Sequence, residues 1–165
     1  MSVEIINLVL IYMFLPGMFI LAGVYDVLTT RIPDWITLSL LAVFFLFAWA
    51  QDLTVMTFAL HWGVAVIVFV LGFLAFSMGW MGGGDGKLAT VGALWFGPQF
   101  APSFMILSFI FGGFMVLAVI ILRSITLPGI VERQTWLMQW VRGKEGLPFG
   151  LAMAGAVLTL IQIEF

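Results

Sequence analysis

Leu53 to Phe76 reads LTVMTFALHWGVAVIVFVLGFLAF and holds no aspartate, glutamate, lysine or arginine. A helix on the surface of a soluble domain keeps one polar face, and this run has none. About 20 apolar residues are enough to cross the roughly 30 Å of bilayer hydrocarbon, so the segment predicts a transmembrane helix. Comparable runs occupy residues 5–25, 36–50, 87–101, 103–122 and 148–163. The composition agrees with six spans: 64% of the 165 residues are hydrophobic, 8% are charged and the mean hydropathy is +1.23. Soluble domains are about half apolar and a quarter charged. A soluble globular protein, a disordered chain and a nucleic-acid binder are therefore excluded as classes. The apolar runs are continuous, without the ten-residue alternation of a membrane barrel. The expectation is an all-α polytopic membrane protein with six transmembrane helices in a single integral-membrane domain over residues 1–165. Met1-Ser2-Val3-Glu4 lacks the positive start of a secretory signal, so the first run is expected to remain as a helix. Pro16-Gly17 falls in its middle and predicts a kink.

The joints between spans carry the orientation. Arg31 lies in the first joint and Lys87 at the third, while Arg123, Arg133, Arg142 and Lys144 lie in the fifth. The second and fourth joints have no basic residue. Basic residues near span ends mark the cytoplasmic side. Joints one, three and five are thus expected in the cytoplasm, with both termini outside it. The fifth joint, residues 123–147, includes Trp136 and Trp140 among mixed charges. It is expected to lie on the membrane surface, as an anchor or as a guide for substrate.

A charge at the edge of a bilayer costs about 2.5–3.5 kcal/mol on insertion scales and needs a reason. Two aspartates stand out. Asp26 follows Tyr25 at the end of the first span, and Asp85 stands in Met81-Gly82-Gly83-Gly84-Asp85-Gly86-Lys87. An even number of crossings returns the chain to the face it left, so the two can meet. Carboxylates that meet share a proton. One can then take a proton from water while the other donates to a carbonyl oxygen, which is aspartic proteolysis. No cofactor and no metal is called for, which suits a chain with no cysteine and one histidine. Glycines around Asp85 would let an extended peptide backbone approach; the competing reading of that string is a flexible interhelical loop. Asp26 is followed by Arg31 and by Ile32-Pro33-Asp34. Pro33 ends one helix and pre-sets the next, and Asp34 reads as a capping or interfacial carboxylate.

With these residues in place, the chain resembles the prepilin peptidases, membrane aspartic proteases with a GxGD motif. That family has an aspartate six residues before Ile-Pro-Asn; here Asp26 stands six before Ile32-Pro33-Asp34, with Asp in the third place. Its GxGDxKL motif corresponds to Gly82 through Leu88, and its Pro-Tyr/Phe-Gly motif to Pro148-Phe149-Gly150. The resemblance implies that Asp26 and Asp85 are the catalytic pair. It gives supporting or substrate-binding places to Gly82, Gly84, Gly86, Lys87, Arg31, Pro33, Pro148 and Gly150. The N-terminal region with paired cysteines found in bifunctional members is absent from this sequence. The chain is thus similar to the short form that serves Flp (Tad-type) pili, or to archaeal preflagellin peptidases. Cleavage without methylation is implied. The partners implied are a prepilin or pilin-like precursor and membrane lipid, in a bacterial or archaeal cytoplasmic membrane with the active site facing the cytoplasm. The sequence leaves the oligomeric state open.

Two other classes compete. A small transporter or channel would also carry intramembrane carboxylates, but no internal repeat is visible. A non-enzymatic subunit of a secretion assembly needs no carboxylate pair. Tyr25-Asp26 also matches the Tyr-Asp of presenilin-type enzymes, though the Ile-Pro spacing and small size favour the pilin branch. Lys87 either tunes Asp85 or anchors its span by snorkelling, and Arg31 reads mainly as an anchor. His61 is expected to be packed or interfacial rather than functional. Trp35, Trp49, Trp62, Trp80 and Trp95 are expected to form an aromatic belt. Gly72, Gly112, Gly113, Gly150 and Ala154 are expected at close helix contacts.

Overall fold

A computed structural model describes residues 3–124 and 148–164. The chain forms helices α1 (Val3–Thr29), α2 (Asp34–Ala50), α3 (Val55–Ser77), α4 (Gly83–Ser124) and α5 (Phe149–Glu164), and no strand occurs among the described residues. Three of them, α1, α3 and α4, are long and apolar enough to cross a membrane, while α2 and α5 are shorter apolar helices. The surface is apolar to match. Phe69, Phe73, Phe114 and Ile120 are exposed on the outside of the bundle, where lipid takes the place that water takes around a soluble domain.

Backbone groups in hydrocarbon must find partners inside the protein, and this decides how α1 and α4 depart from straight rods. Pro16 has no amide, and its ring would strike the carbonyl four residues back in an ordinary α-helix. The chain answers with a π-helical turn at Leu10–Phe14, in which the Leu15 amide donates to the Leu10 carbonyl. The expected kink at Pro16-Gly17 is thus taken up as a wider turn ahead of the proline. α1 ends where Thr30 adopts left-handed backbone (φ 55°) while its amide still donates to the Asp26 carbonyl at 2.9 Å. Pro33, with extended backbone at φ −63° and ψ 136°, then launches α2.

α4 folds back on itself. Gly97 adopts φ 61° and ψ −171°, a conformation open to glycine and strained for other residues. A side chain at Gly92 would come within 2.6 Å of the Phe104 ring, and the Phe96 and Phe104 rings stack at 5.2 Å. In a straight helix residues 92 and 104 would lie about 18 Å apart, so residues 83–96 and 98–124 are the two arms of a hairpin. The sequence places a joint over Gly97 to Pro102, between the spans 87–101 and 103–122, and the break lies at the start of that joint. It falls at Gly97 because only glycine accepts that backbone, and Pro98 is the first residue unable to continue the helical ladder. Pro102 is absorbed within the second arm.

Pro98 has no amide to offer the Leu94 carbonyl, and His61 makes good the loss. Its Nδ1 lies 2.7 Å from that oxygen, and since a carbonyl only accepts, Nδ1 carries the proton. The ring fills the space that a side chain at Gly97 would occupy, within 2.5 Å. His61 is therefore a packed residue, as expected, with a definite duty at the break.

Long-range contacts fix the packing directions. The Asn7 side-chain amide donates to the Ala50 carbonyl at 2.9 Å, so α1 and α2 are antiparallel. Gly72 lies against the backbone of Gly86, and His61 against Leu94, so α3 and the first arm of α4 are antiparallel. Gly23 packs so closely on α5 that a side chain there would reach within 2.9 Å of the Leu151 Cα. Phe19, Leu40, Phe44, Phe104, Met153 and Val157 close the core between these helices. One end of the bundle thus gathers the end of α1 and the starts of α2, α4 and α5. Of the tryptophans expected in an aromatic belt, Trp35, Trp49 and Trp80 are exposed. Trp95 is instead buried, with its indole amide donating to the Leu40 carbonyl at 3.0 Å. The surface segment expected over residues 123–147 lies, beyond Ser124, outside the described residues.

His61→Leu puts an apolar side chain of similar bulk in place of the imidazole and strands the Leu94 carbonyl. The expected cost is about 1–3 kcal/mol, read as a lowered thermal midpoint in detergent, and an unchanged midpoint would show that the break needs no donor.

Candidate active site

Asp26 lies one turn before the end of α1, and its side chain points into the bundle rather than away from it; it is only 6% exposed. The start of α5 explains this. The first amides of any helix lack partners within it. The Gly150 amide, in the first turn of α5, donates to Asp26 Oδ2 at 2.7 Å. Asp26 thus caps a helix that begins more than a hundred residues later. A side chain at Gly150 would stand 3.0 Å from Oδ2 and 3.2 Å from the Asp26 Cβ, so glycine is needed for this approach. Pro148, fully buried, leads α5 into position.

Asp85 occupies the matching place on α4. It lies in the first turn of that helix, half-buried, and accepts from the Gly82 amide just ahead of the helix. This is the reach-back of a capping box, with an acid at the third helical position. A side chain at Gly82 would fall 2.9 Å from Asp85 Oδ2. The two carboxylates are near enough to interact electrostatically. The structure therefore brings Asp26 and Asp85 to one end of the bundle, each held by the amide of a glycine at the start of a helix.

The two differ in access. Asp85 lines a cavity of about 430 Å³ together with Gly82, Trp80, Phe109 and Phe149. Trp80, Met81 and Phe109 also border an apolar cavity of about 440 Å³ between α3 and α4, whose walls include Gly72, Ala75, Ala89 and Met105. Space for a ligand thus adjoins Asp85, whereas Asp26 is enclosed.

The remaining expected residues separate into those at the carboxylates and those beside them. Gly84 packs on Ile32, and Gly86 on the backbone of Gly72, where the first arm of α4 meets α3. Pro33 is half-buried at the start of α2, and Arg31 is exposed. Lys87 pairs with Asp34, Nζ to Oδ1 at 2.7 Å, with both side chains more than half exposed. Lys87 therefore joins the segment after Asp26 to the segment of Asp85. Among the described residues no group of three His, Cys, Asp or Glu could hold a metal ion. Phe109 and Met81 carry no signal in the sequence, where phenylalanine and methionine are abundant throughout the chain, and Trp80 is expected there only in the aromatic belt. Ile32 is read there only as a spacing mark.

Two acidic side chains placed together at the starts of helices, inside an apolar all-helical bundle, define a membrane protein with a paired-carboxylate site. The model of the type IV leader peptidase family matches residues 13–117, and the chain belongs to that family. The match covers Asp26, the Arg31–Asp34 segment and Gly82 through Leu88; Pro148 to Gly150 fall beyond it. No curated protein and no solved structure matches the chain.

The Lys87–Asp34 pair is exposed and should contribute little by itself, about 0.2–1 kcal/mol. A double-mutant cycle with Lys87→Gln and Asp34→Asn should return a coupling in that range that fades in high salt; a larger, salt-insensitive coupling would mark the pair as desolvated.

Proposed function

We propose that the protein is an aspartic endopeptidase that removes the N-terminal leader from type IV pilin-like precursors, of the Flp type, at the cytoplasmic face of the membrane. Membership of the leader peptidase family supplies the reaction class, hydrolysis of a precursor protein. The observation that carries the assignment of the reacting groups is the juxtaposition of Asp26 and Asp85, each held by a glycine amide. In this reading the pair holds one proton between them. Asp85, which borders the cavity, and the enclosed Asp26 divide the two tasks of drawing a proton from water and protonating the scissile carbonyl oxygen. The nitrogen of the cleaved bond leaves as an amine once the tetrahedral intermediate collapses, and the shared proton is restored.

Such a precursor has a short basic leader followed by an apolar helix. Its junction would lie at the cytoplasmic membrane face, which agrees with Arg31 and Lys87 at the site end of the bundle under the positive-inside rule. The two arms of α4 together with α1, α2, α3 and α5 give six rods, consistent with six crossings and with both termini outside the cytoplasm. The apolar cavity beside Asp85 accommodates the apolar residues that follow the scissile bond, and the bilayer removes part of the orientational entropy of the encounter.

Asp26→Asn and Asp85→Asn should each lower cleavage of a pilin-like precursor in detergent by roughly 10²–10⁴-fold at normal membrane levels. Full activity of Asp85→Asn would overturn the assignment. The wild-type rate should follow a bell-shaped pH profile, since only the singly protonated pair is active; a rate that rises steadily across the whole range would contradict a shared proton.

A further inference from the structure

Ile32 is buried between an exposed arginine and a surface aspartate. The residue before a proline is driven to extended backbone, and Pro33 thereby holds Ile32 out of both neighbouring helices with its side chain turned into the bundle. Its two ends meet two glycines. A side chain at Gly84 would stand 3.1 Å from the Ile32 Cβ, and one at Gly150 would stand 3.3 Å from its Cδ1. Both distances are tighter than ordinary van der Waals contact, so Ile32 fills a slot that exists only because both walls are glycine.

Those two glycines are coupled to the two carboxylates. Gly84 is bonded directly to Asp85, and the Gly150 amide holds Asp26 Oδ2 at 2.7 Å. One branched aliphatic side chain thus stands between the backbone that carries Asp85 and the backbone that holds Asp26. We infer that Ile32 is the spacer that sets the separation of the two carboxylates, a positioning residue of the site. The part of this inference that concerns turnover rests on the proteolytic reading above; the part that concerns distance does not.

Packed interiors do not close smoothly around a missing methyl group. Ile32→Val keeps the Cβ that faces Gly84 and removes the Cδ1 that faces Gly150. It should therefore loosen the Asp26 side of the slot alone, whereas Ile32→Ala also removes the Cγ1 that would stand 3.5 Å from a side chain at Gly84 and should loosen both. A displacement near 1 Å at a catalytic group costs about 10²-fold in rate. The expected outcome for full-length protein in detergent is a fall in kcat of about tenfold for Ile32→Val and about a hundredfold for Ile32→Ala, with KM little changed. The pH window of activity should also widen, because a smaller spacer lets the carboxylates draw together, interact more strongly and separate their two ionisations further. A residue that served stability alone would lower the thermal midpoint but leave kcat per folded molecule and the pH profile as they were, and that result would overturn the inference.

Distance can be read without activity. The chain has no cysteine, so the double variant Asp26→Cys with Asp85→Cys carries one thiol pair. Its cross-linking rate with a short bifunctional maleimide should rise several-fold when Ile32→Ala is added, and an unchanged or lower rate would refute the spacer role. Should cross-linking rise while no precursor is cleaved even by the wild-type protein, the spacer stands and the proteolytic reading does not.

Discussion

The hydrogen bond from the Gly150 amide to Asp26 is the contact on which the rest of the site depends. Two items that a bilayer tolerates poorly are joined in it. A helix start leaves amides without partners, and a carboxylate within the apolar bundle lacks the water that would solvate it. Each supplies what the other lacks. Asp85 repeats the arrangement with the Gly82 amide at the start of α4. The acids are thus elements of helix termination as well as candidates for chemistry.

Close approach by glycine is what makes these contacts possible, and the glycines act in different ways. At Gly150 and Gly82 the missing side chain admits a carboxylate. At Gly23 it lets α5 lie directly on α1, within reach of Asp26. At Gly97 the backbone itself requires glycine, and the resulting hairpin returns the second arm of α4 to the site, where Phe109 walls the cavity. His61 belongs to the same logic from a distance, since it satisfies the carbonyl that the hairpin exposes.

Much of this was legible in the chain of residues alone. Apolar runs marked each of the described helices, because a helix that faces hydrocarbon has no polar side to interrupt the run. Asp26 and Asp85 stood out because charge is rare here and each instance carries information. The small residues Gly72 and Gly112 meet Gly86 and Phe149 as expected, whereas Gly113 faces open space. What could not be read were relations between distant residues of ordinary type. Nothing in the isolated residues tells that Lys87 will choose Asp34, or that Trp95 will turn inward to the Leu40 carbonyl. Ile32 was visible as part of a spacing, yet its function depends on two glycines that are far from it along the chain.

The lengths of the helices carry one more consequence. At 1.5 Å per residue, α2, the first arm of α4 and α5 measure about 26, 21 and 24 Å, all less than the roughly 30 Å of hydrocarbon. α1, α3 and the second arm of α4 reach or exceed it. The three short helices are the ones that begin at the acid pair. A helix shorter than the hydrocarbon is matched by local thinning of the bilayer, so three short helices grouped at the acid pair would draw the lipid surface in toward the carboxylates.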